Sequence, residues 1–286
     1  MDRESPVTSE DEKPTARYDW HRWYSVATTF VAPATFVSAL LFYFGYVSSR
    51  SMYRYFGIDV DTVGLSTQQF IMRSPQALLV PAVLLALLAA CAVLVRVAVH
   101  RRGVTPQVIG TVRLVGLTMA GIALVMMASY QWIGAWAAYP MVTPLLLAVG
   151  VGLVAWAGHR RGAKRTAVAL ELLVVAVAVF WATATLAEWT GRGSAQRTAR
   201  NLADLPAVVL DTKERLYLGD GIVEETKLPH EDGQAYRYRY RGLRLLIQGG
   251  DTMFLVPSPW SASSSTLVVP VNGEVRVKFR FVDDPP

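Results

Sequence analysis

Between Val26 and Ala187 the chain runs repeatedly for about twenty residues with almost no charged side chain. A bilayer core about 30 Å thick takes about 20 helical residues. Lipid offers the backbone no hydrogen-bond partner, so runs of this length and composition are read as helices that satisfy themselves. Five such stretches are expected to span: Val26–Val47, Ala77–Val95, Leu114–Ala138, Met141–Gly158 and Thr166–Ala187. Only the last carries a charge, Glu171. The third and fourth are separated by Tyr139-Pro140, which reads as a tight helical hairpin with its turn at the proline. One helix across both would be about 68 Å long, more than twice the bilayer core.

After Thr190 the composition becomes that of a soluble protein. The whole chain is 52% hydrophobic and 17% charged, against about 25% charged in ordinary soluble domains. The predicted organisation is a cytoplasmic tail (1–25), a five-helix membrane bundle (26–189), a juxtamembrane linker helix (190–203) and a C-terminal β-rich domain (204–286). The polar tail is too long before its first apolar run to be a signal peptide, so the first span is expected to stay as an anchor.

Short basic loops stay on the cytoplasmic side. His100-Arg101-Arg102 lies between spans two and three, and His159-Arg160-Arg161 with Lys164-Arg165 lies between spans four and five. The expected topology is therefore N-terminus inside and C-terminus outside, in a plasma membrane. Arg50, Arg54 and Arg73 in the loop after span one oppose it weakly. Trp20, Trp23 and Tyr24 at one end of the bundle, and Trp132, Trp136, Tyr139 and Trp189 at the other, fit the aromatic belts of two interfaces. The net charge of +6 belongs mostly to these loops, which disfavours a nucleic-acid partner. The single cysteine, Cys91, cannot form an internal disulfide, and the four scattered histidines suggest no metal site.

Inside the spans Glu171 is the one ionisable group. Near Lys164 and Arg165, it is expected to snorkel and pair with them, with transport or catalysis as the sharper alternative. Small residues recur at spacing four in Gly116/Ala120, Ala148/Gly152 and Ala178/Ala182, a pattern that lets helices approach closely. The loop 48–75 is too polar to span yet rich in apolar residues, so it is expected to pack at the interface or on the bundle. In it, Ser66-Thr67-Gln68-Gln69 reads as a capping box that opens a helix from Thr67 to Arg73. Asp59 and Asp61 have the spacing of a cation pair, but nothing nearby completes a calcium site; a turn is the simpler reading.

The tail shows strand signals at Ala207–Asp211, Arg215–Leu218, Tyr236–Gln248, Thr252–Val256, Thr266–Val271 and Glu274–Val282, a sandwich or barrel in outline. Asn272-Gly273 is the pair preferred in type I′ hairpins. Period two in Tyr236-Arg237-Tyr238-Arg239-Tyr240-Arg241 places three tyrosines on one face and three arginines on the other. These residues are the candidate interaction surface, for a protein partner or an anionic envelope polymer; a solvated strand face is the plainer alternative. No G-x-S-x-G, H-E-x-x-H or P-loop is present, and no catalytic or cofactor residue is assigned.

Tyr55-Phe56-Gly57-Ile58-Asp59 followed by Gly64-Leu65-Ser66-Thr67-Gln68, and Tyr238-Arg239-Tyr240-Arg241-Gly242-Leu243-Arg244-Leu245-Leu246, resemble segments of uncharacterised multi-pass membrane proteins of streptomycetes and related actinobacteria. The resemblance implies a bacterial cytoplasmic membrane and brings no activity with it. The function expected is a non-enzymatic membrane protein that presents its outer β domain to a partner or polymer. A small channel or transporter subunit is the alternative.

Overall fold

The computed structural model describes residues 32–75, 105–218, 221–229, 234–261 and 263–280, with scattered positions between 79 and 97. Leu41 onward forms one compact unit, and the contacts below lie within it. Of the unit before it, only residues 32–40 are described, and they are helical.

Among the described residues three helices, not five, are long and apolar enough to cross a membrane. They are α4 (Pro106–Ala128), α6 (Tyr139–Arg160) and α7 (Arg165–Arg200). The first predicted span begins outside the described residues; its described part belongs to α1 (Ala32–Tyr55), which continues beyond Val47. The second, 77–95, lies mostly outside them, and its described positions are helical.

The hairpin turn is displaced from its predicted place. The sequence predicts a third span over Leu114–Ala138, but α4 starts at Pro106 and stops at Ala128. The Ser129 hydroxyl bonds back to the Val125 carbonyl at 2.7 Å. A one-turn helix α5 (Tyr130–Ile133) follows, and α6 starts at Tyr139. Pro140 therefore sits in the first turn of α6, where its missing N–H has no helical partner to lose. Trp132 is 87% exposed in this turn, as an interfacial aromatic would be.

Small residues set the spacing of α4 and α6. A Cβ added to Gly116 would lie 2.7 Å from the Gly150 carbonyl oxygen, and one added to Gly150 would lie 2.6 Å from the Ala120 nitrogen. Both clashes are with backbone, so no rotamer change relieves them. Gly116→Leu or Gly150→Leu is expected to force the pair apart. A cysteine pair placed across this crossing should cross-link in the parent and lose most of its yield in either variant.

The predicted linker 190–203 is no separate element. α7 runs unbroken for 36 residues to Arg200, about 54 Å at 1.5 Å each, well beyond a hydrocarbon core of about 30 Å. Its last thirteen residues, after Ala187, reach about 20 Å further. There it meets α1 closely: a Cβ on Gly191 would lie 2.1 Å from the Ser48 carbonyl oxygen. A 3-10 turn, Leu202–Asp204, delivers the chain to the first strand.

The tail is one antiparallel sheet of β1 (Ala207–Thr212), β2 (Glu224–Lys227), β3 (Tyr238–Gly249), β4 (Thr252–Pro257), β5 (Leu267–Pro270) and β6 (Val275–Arg280). The strand order is β5-β4-β3-β1-β6, and β2 pairs the first part of β3. No second sheet is formed by the described residues, so the two-sheet sandwich is replaced by a curled single sheet. Four residues join the two edge strands β5 and β6, and both edges send side chains into one interior: Leu267 and Val269, Val275 and Val277 pack with Val208, Leu210, Tyr240, Leu243, Met253 and Leu255. A flat sheet would hold those edges about 19 Å apart.

Two strand expectations are corrected and one unpredicted strand is added. Arg215–Leu218 is not a strand, whereas Glu224–Lys227 is, as a polar edge without alternation. Asn272-Gly273 is not a type I′ hairpin, because its flanking strands pair with β4 and β1, not with each other. Instead the Asn272 side chain accepts from the Glu274 N–H at 3.0 Å, closing a local turn.

The segment after α1 proves to be the seat of the sheet. The one-turn helix α2 (Val60–Val63) and the capping-box helix α3 (67–75) follow α1. The capping box forms as expected: Ser66 N–H donates to Gln69 Oε1 at 2.9 Å, and Gln69 N–H to Ser66 Oγ at 3.3 Å. Tyr53, Phe56, Ile58, Val60, Val63 and Phe70 then form one buried cluster with Ile247, Phe254 and Val256 of the sheet and with Ala195 and Leu202. β4 is consequently buried on both faces, Met253 and Leu255 inward and Phe254 and Val256 outward. The Thr266 hydroxyl donates to the Phe56 carbonyl at 2.6 Å. Fragment 204–286 alone would expose this outward face, at about 1.5–3 kcal/mol per large apolar side chain. Size-exclusion chromatography is expected to show it self-associating, while a fusion that supplies residues 48–75 stays monomeric.

Candidate functional site: a cationic sheet face

The arginines of the Tyr-Arg run do not behave as one row. Arg239 donates two hydrogen bonds to Asp211, Nε to Oδ1 at 2.7 Å and a terminal nitrogen to Oδ2 at 3.1 Å. Asp211 is fully buried on β1, where strand pairing sets it between Arg239 on β3 and Arg276 on β6. Arg276 also donates twice to Oδ2, at 2.7 and 3.1 Å, and Lys278 Nζ lies 3.7 Å away. Burial by itself would raise the Asp211 pKa. The hydrogen bonds from Arg239 and Arg276 outweigh it and hold the carboxyl below its ordinary value.

Arg237 lies just before β3 and is exposed, its backbone N–H donating to the Thr212 carbonyl at 2.9 Å. Arg241 is exposed on the strand and, among the described residues, makes no ion pair. Glu224 lies across from it on β2 without pairing to it. The tyrosine face is also divided. Tyr240 is fully buried inside the sheet, and its hydroxyl accepts from the Leu216 N–H at 2.8 Å. Tyr238 packs at the margin of that interior. Tyr236 precedes the strand and stacks with the Arg276 guanidinium at 4.7 Å.

Two irregularities of β3 decide which residues share the outer face. Register shifts between Val208 and Leu210 of β1, where Arg241 and Gly242 face the single Val209. Gly242 has φ 84°, which glycine adopts without strain. This bulge keeps Leu243 inside with Tyr240 and returns Arg244 to the outside. A second shift, between Leu245 and Ile247 against β4, turns Ile247 outward onto the α2 seat.

The result is a face with Ala207, Val209 and Asp211 of β1 along its middle. Arg239, Arg241 and Arg244 flank it on one side, and Arg276, Lys278 and Arg280 on the other. Arg244 is engaged with the Ala203 and Leu205 carbonyls at 3.3 and 2.9 Å. Above Val209 a shallow cavity of about 430 Å³ is lined by Arg239, Arg241, Lys278, Phe279 and Arg280. The β6 cations and Asp211 were missed from sequence. The available signal was a lone acid ending the apolar run Val208-Val209-Leu210, and the alternation Arg276-Val277-Lys278-Phe279-Arg280.

The other candidates resolve structurally. Asp59 caps α2, accepting from the Asp61 N–H at 3.3 Å, and Asp61 accepts from the Tyr46 hydroxyl at 3.2 Å. Among the described residues no group of three potential metal ligands forms. Glu171 does not pair with Lys164 or Arg165. Its Oε2 is buried without a hydrogen-bond partner, near Gly158 of α6. No protein-family model, curated protein or solved structure matches the chain.

Proposed function

We propose that this is a non-enzymatic integral membrane protein with five spans, N-terminus cytoplasmic and C-terminal domain outside the plasma membrane, whose sheet binds an anionic envelope polymer. The observation that carries the reading is the excess of cations on one sheet face among the described residues, six against two acids, the buried Asp211 and Glu224 across from Arg241. Such a face attracts polyanions over roughly a Debye length, about 8–10 Å at physiological salt. The resemblance to actinobacterial membrane proteins is part of the same proposal.

The test is binding of the full chain, in nanodiscs of uncharged lipid, to soluble anionic polymers. Binding is expected, and it should weaken as salt rises. No binding to any polyanion at low salt would end the proposal. The topology has its own test. Reporter fusions after Ala138 and at the C-terminus should read outside, and one after Arg165 inside; an inside signal at the C-terminus would remove one span.

The second reading, a channel or transporter subunit, is favoured by the buried, unpartnered Glu171 Oε2. It calls for ion flux in liposomes that Glu171→Gln abolishes.

A further inference from the structure

Asp211 shows what the middle row of this face holds between its two cationic walls. Its carboxylate takes Arg239 from β3 and Arg276 from β6. One pleat along β1 the same architecture recurs without the acid. Val209 is across from Lys278 on β6 and from the Arg241–Gly242 bulge on β3. Arg241 and Arg280 make no ion pair among the described residues, and Lys278 is only at the edge of Asp211's reach, at 3.7 Å. The floor here is a near-buried valine, so an anion set above it meets cations on both sides and no repelling carboxylate below.

Resting on the polyanion reading above, we infer that the cavity over Val209 is an anion position for one phosphate of a linear phosphodiester polymer, held between Arg241 and Lys278 as Asp211 is held one pleat along.

Three features favour this ligand. Successive outward positions of a strand are about 6.8 Å apart, so the next phosphate of an extended chain would lie over Ala207, beside Arg280. A phosphodiester has two non-bridging oxygens directed apart, so each wall can donate to its own oxygen; arginine forks suit such groups. Phe279 is the one aromatic lining the cavity, whereas single-stranded nucleic acids are held by successive stacking platforms.

The experiment uses the full chain in phosphatidylcholine nanodiscs and poly(glycerol phosphate) as the probe. The parent protein is expected to bind. Arg241→Gln/Lys278→Gln removes two exposed side chains and is expected to weaken binding on the order of tenfold or more, since each is a charge-assisted contact. Val209→Asp supplies the missing carboxylate from the chain itself and is expected to compete with the polymer to a similar extent. Should that buried substitution unfold the sheet, the double variant still decides. Arg237→Gln, outside the cavity, should change affinity by less than about twofold.

Parent-like binding by Arg241→Gln/Lys278→Gln would overturn the assigned position while leaving polyanion binding intact. Binding to phosphatidylglycerol vesicles or to a single-stranded oligonucleotide, with none to poly(glycerol phosphate), would overturn the assigned ligand. Failure of the parent to bind any polyanion would overturn the broader reading with it.

Discussion

Arg239→Gln/Arg276→Gln is expected to cost the sheet about 3–5 kcal/mol at neutral pH, the usual cost of stripping a buried charge of its partners. Asp211 has no exposed surface, and after the double change only Lys278, at 3.7 Å, remains near it. Removing the acid instead is expected to cost much less. In Asp211→Asn the arginines, partly exposed already, turn toward water. The order of effects therefore follows from which partner is left buried, not from how many hydrogen bonds are lost.

The two proteins should also respond to pH in opposite directions. In the parent, the Asp211 pKa in the folded state lies below its unfolded value of about 3.9. The stability it contributes is fully present above that unfolded value and is lost as pH falls through the folded one. In the double variant burial acts with little opposition, so the folded pKa rises. Its contribution is then present at low pH and lost as pH rises. Hydrogen exchange of β1 amides across pH 3–8 would read both slopes. Parallel slopes would mean that Asp211 is not held as a charge by this pair.

Gly249→Val is expected to release the sheet from its seat. A Cβ at this position would lie 1.8 Å from the Val63 carbonyl oxygen and 2.8 Å from a Val63 side-chain carbon. The first clash is with backbone at the end of α2, so the β3–β4 hairpin and α2 must separate. Separation uncovers Ile247, Phe254 and Val256 on one side and Phe56, Val60 and Val63 on the other. At about 1.5–3 kcal/mol for each large apolar side chain, this exceeds the whole stability of a small domain at its lower limit. Limited proteolysis of the full chain should show cleavage near 201–206 in the variant and protection in the parent. Gly249 is not held at positive φ, so a protected variant would mean that α2 adjusts without losing the contact. Gly250→Ala is the informative control: it is strained by its φ of 54° but meets nothing nearby, so it should leave the docking intact.

The proposed polyanion face and the docking surface use different strands of the same outer sheet surface, and they adjoin where Arg244 pairs with Val256. β4 and the end of β3 face the α2 seat, while β1 and β6 carry the cationic face. Gly249 lies at the β3–β4 turn, away from the strand positions of Val209, Arg241 and Lys278, so Gly249→Val is not expected to reproduce the binding loss of Arg241→Gln/Lys278→Gln.

The absence of charge over long runs was enough to place α6 and the membrane part of α7, because a lipid-facing helix must satisfy its backbone internally whatever its neighbours do. The capping box at Ser66–Gln69 was equally legible, being closed within four residues. So were most strands, since side-chain alternation is a local property of extended backbone. Where sequence misled, a distant contact had overridden local pattern. Arg215–Leu218 has strand-like residues but no strand to pair with, whereas polar Glu224–Lys227 becomes a strand because β3 offers it an edge. Asn272-Gly273 favours a hairpin, yet its flanking strands find better partners on opposite edges of the sheet.

The same division governs the candidate site. Alternation alone put Arg237, Arg239 and Arg241 on one face. Only the pairing of β1 with both β3 and β6 decided that Arg239 neutralises Asp211, that Arg237 lies outside the strand, and that Arg241 faces Lys278 across Val209. The physical reason is range. Helix and strand periodicity are set by neighbours a few residues away, whereas Asp211 and Arg276 are 65 positions apart, and no local rule brings a carboxylate to a guanidinium across that distance until the sheet has chosen its order.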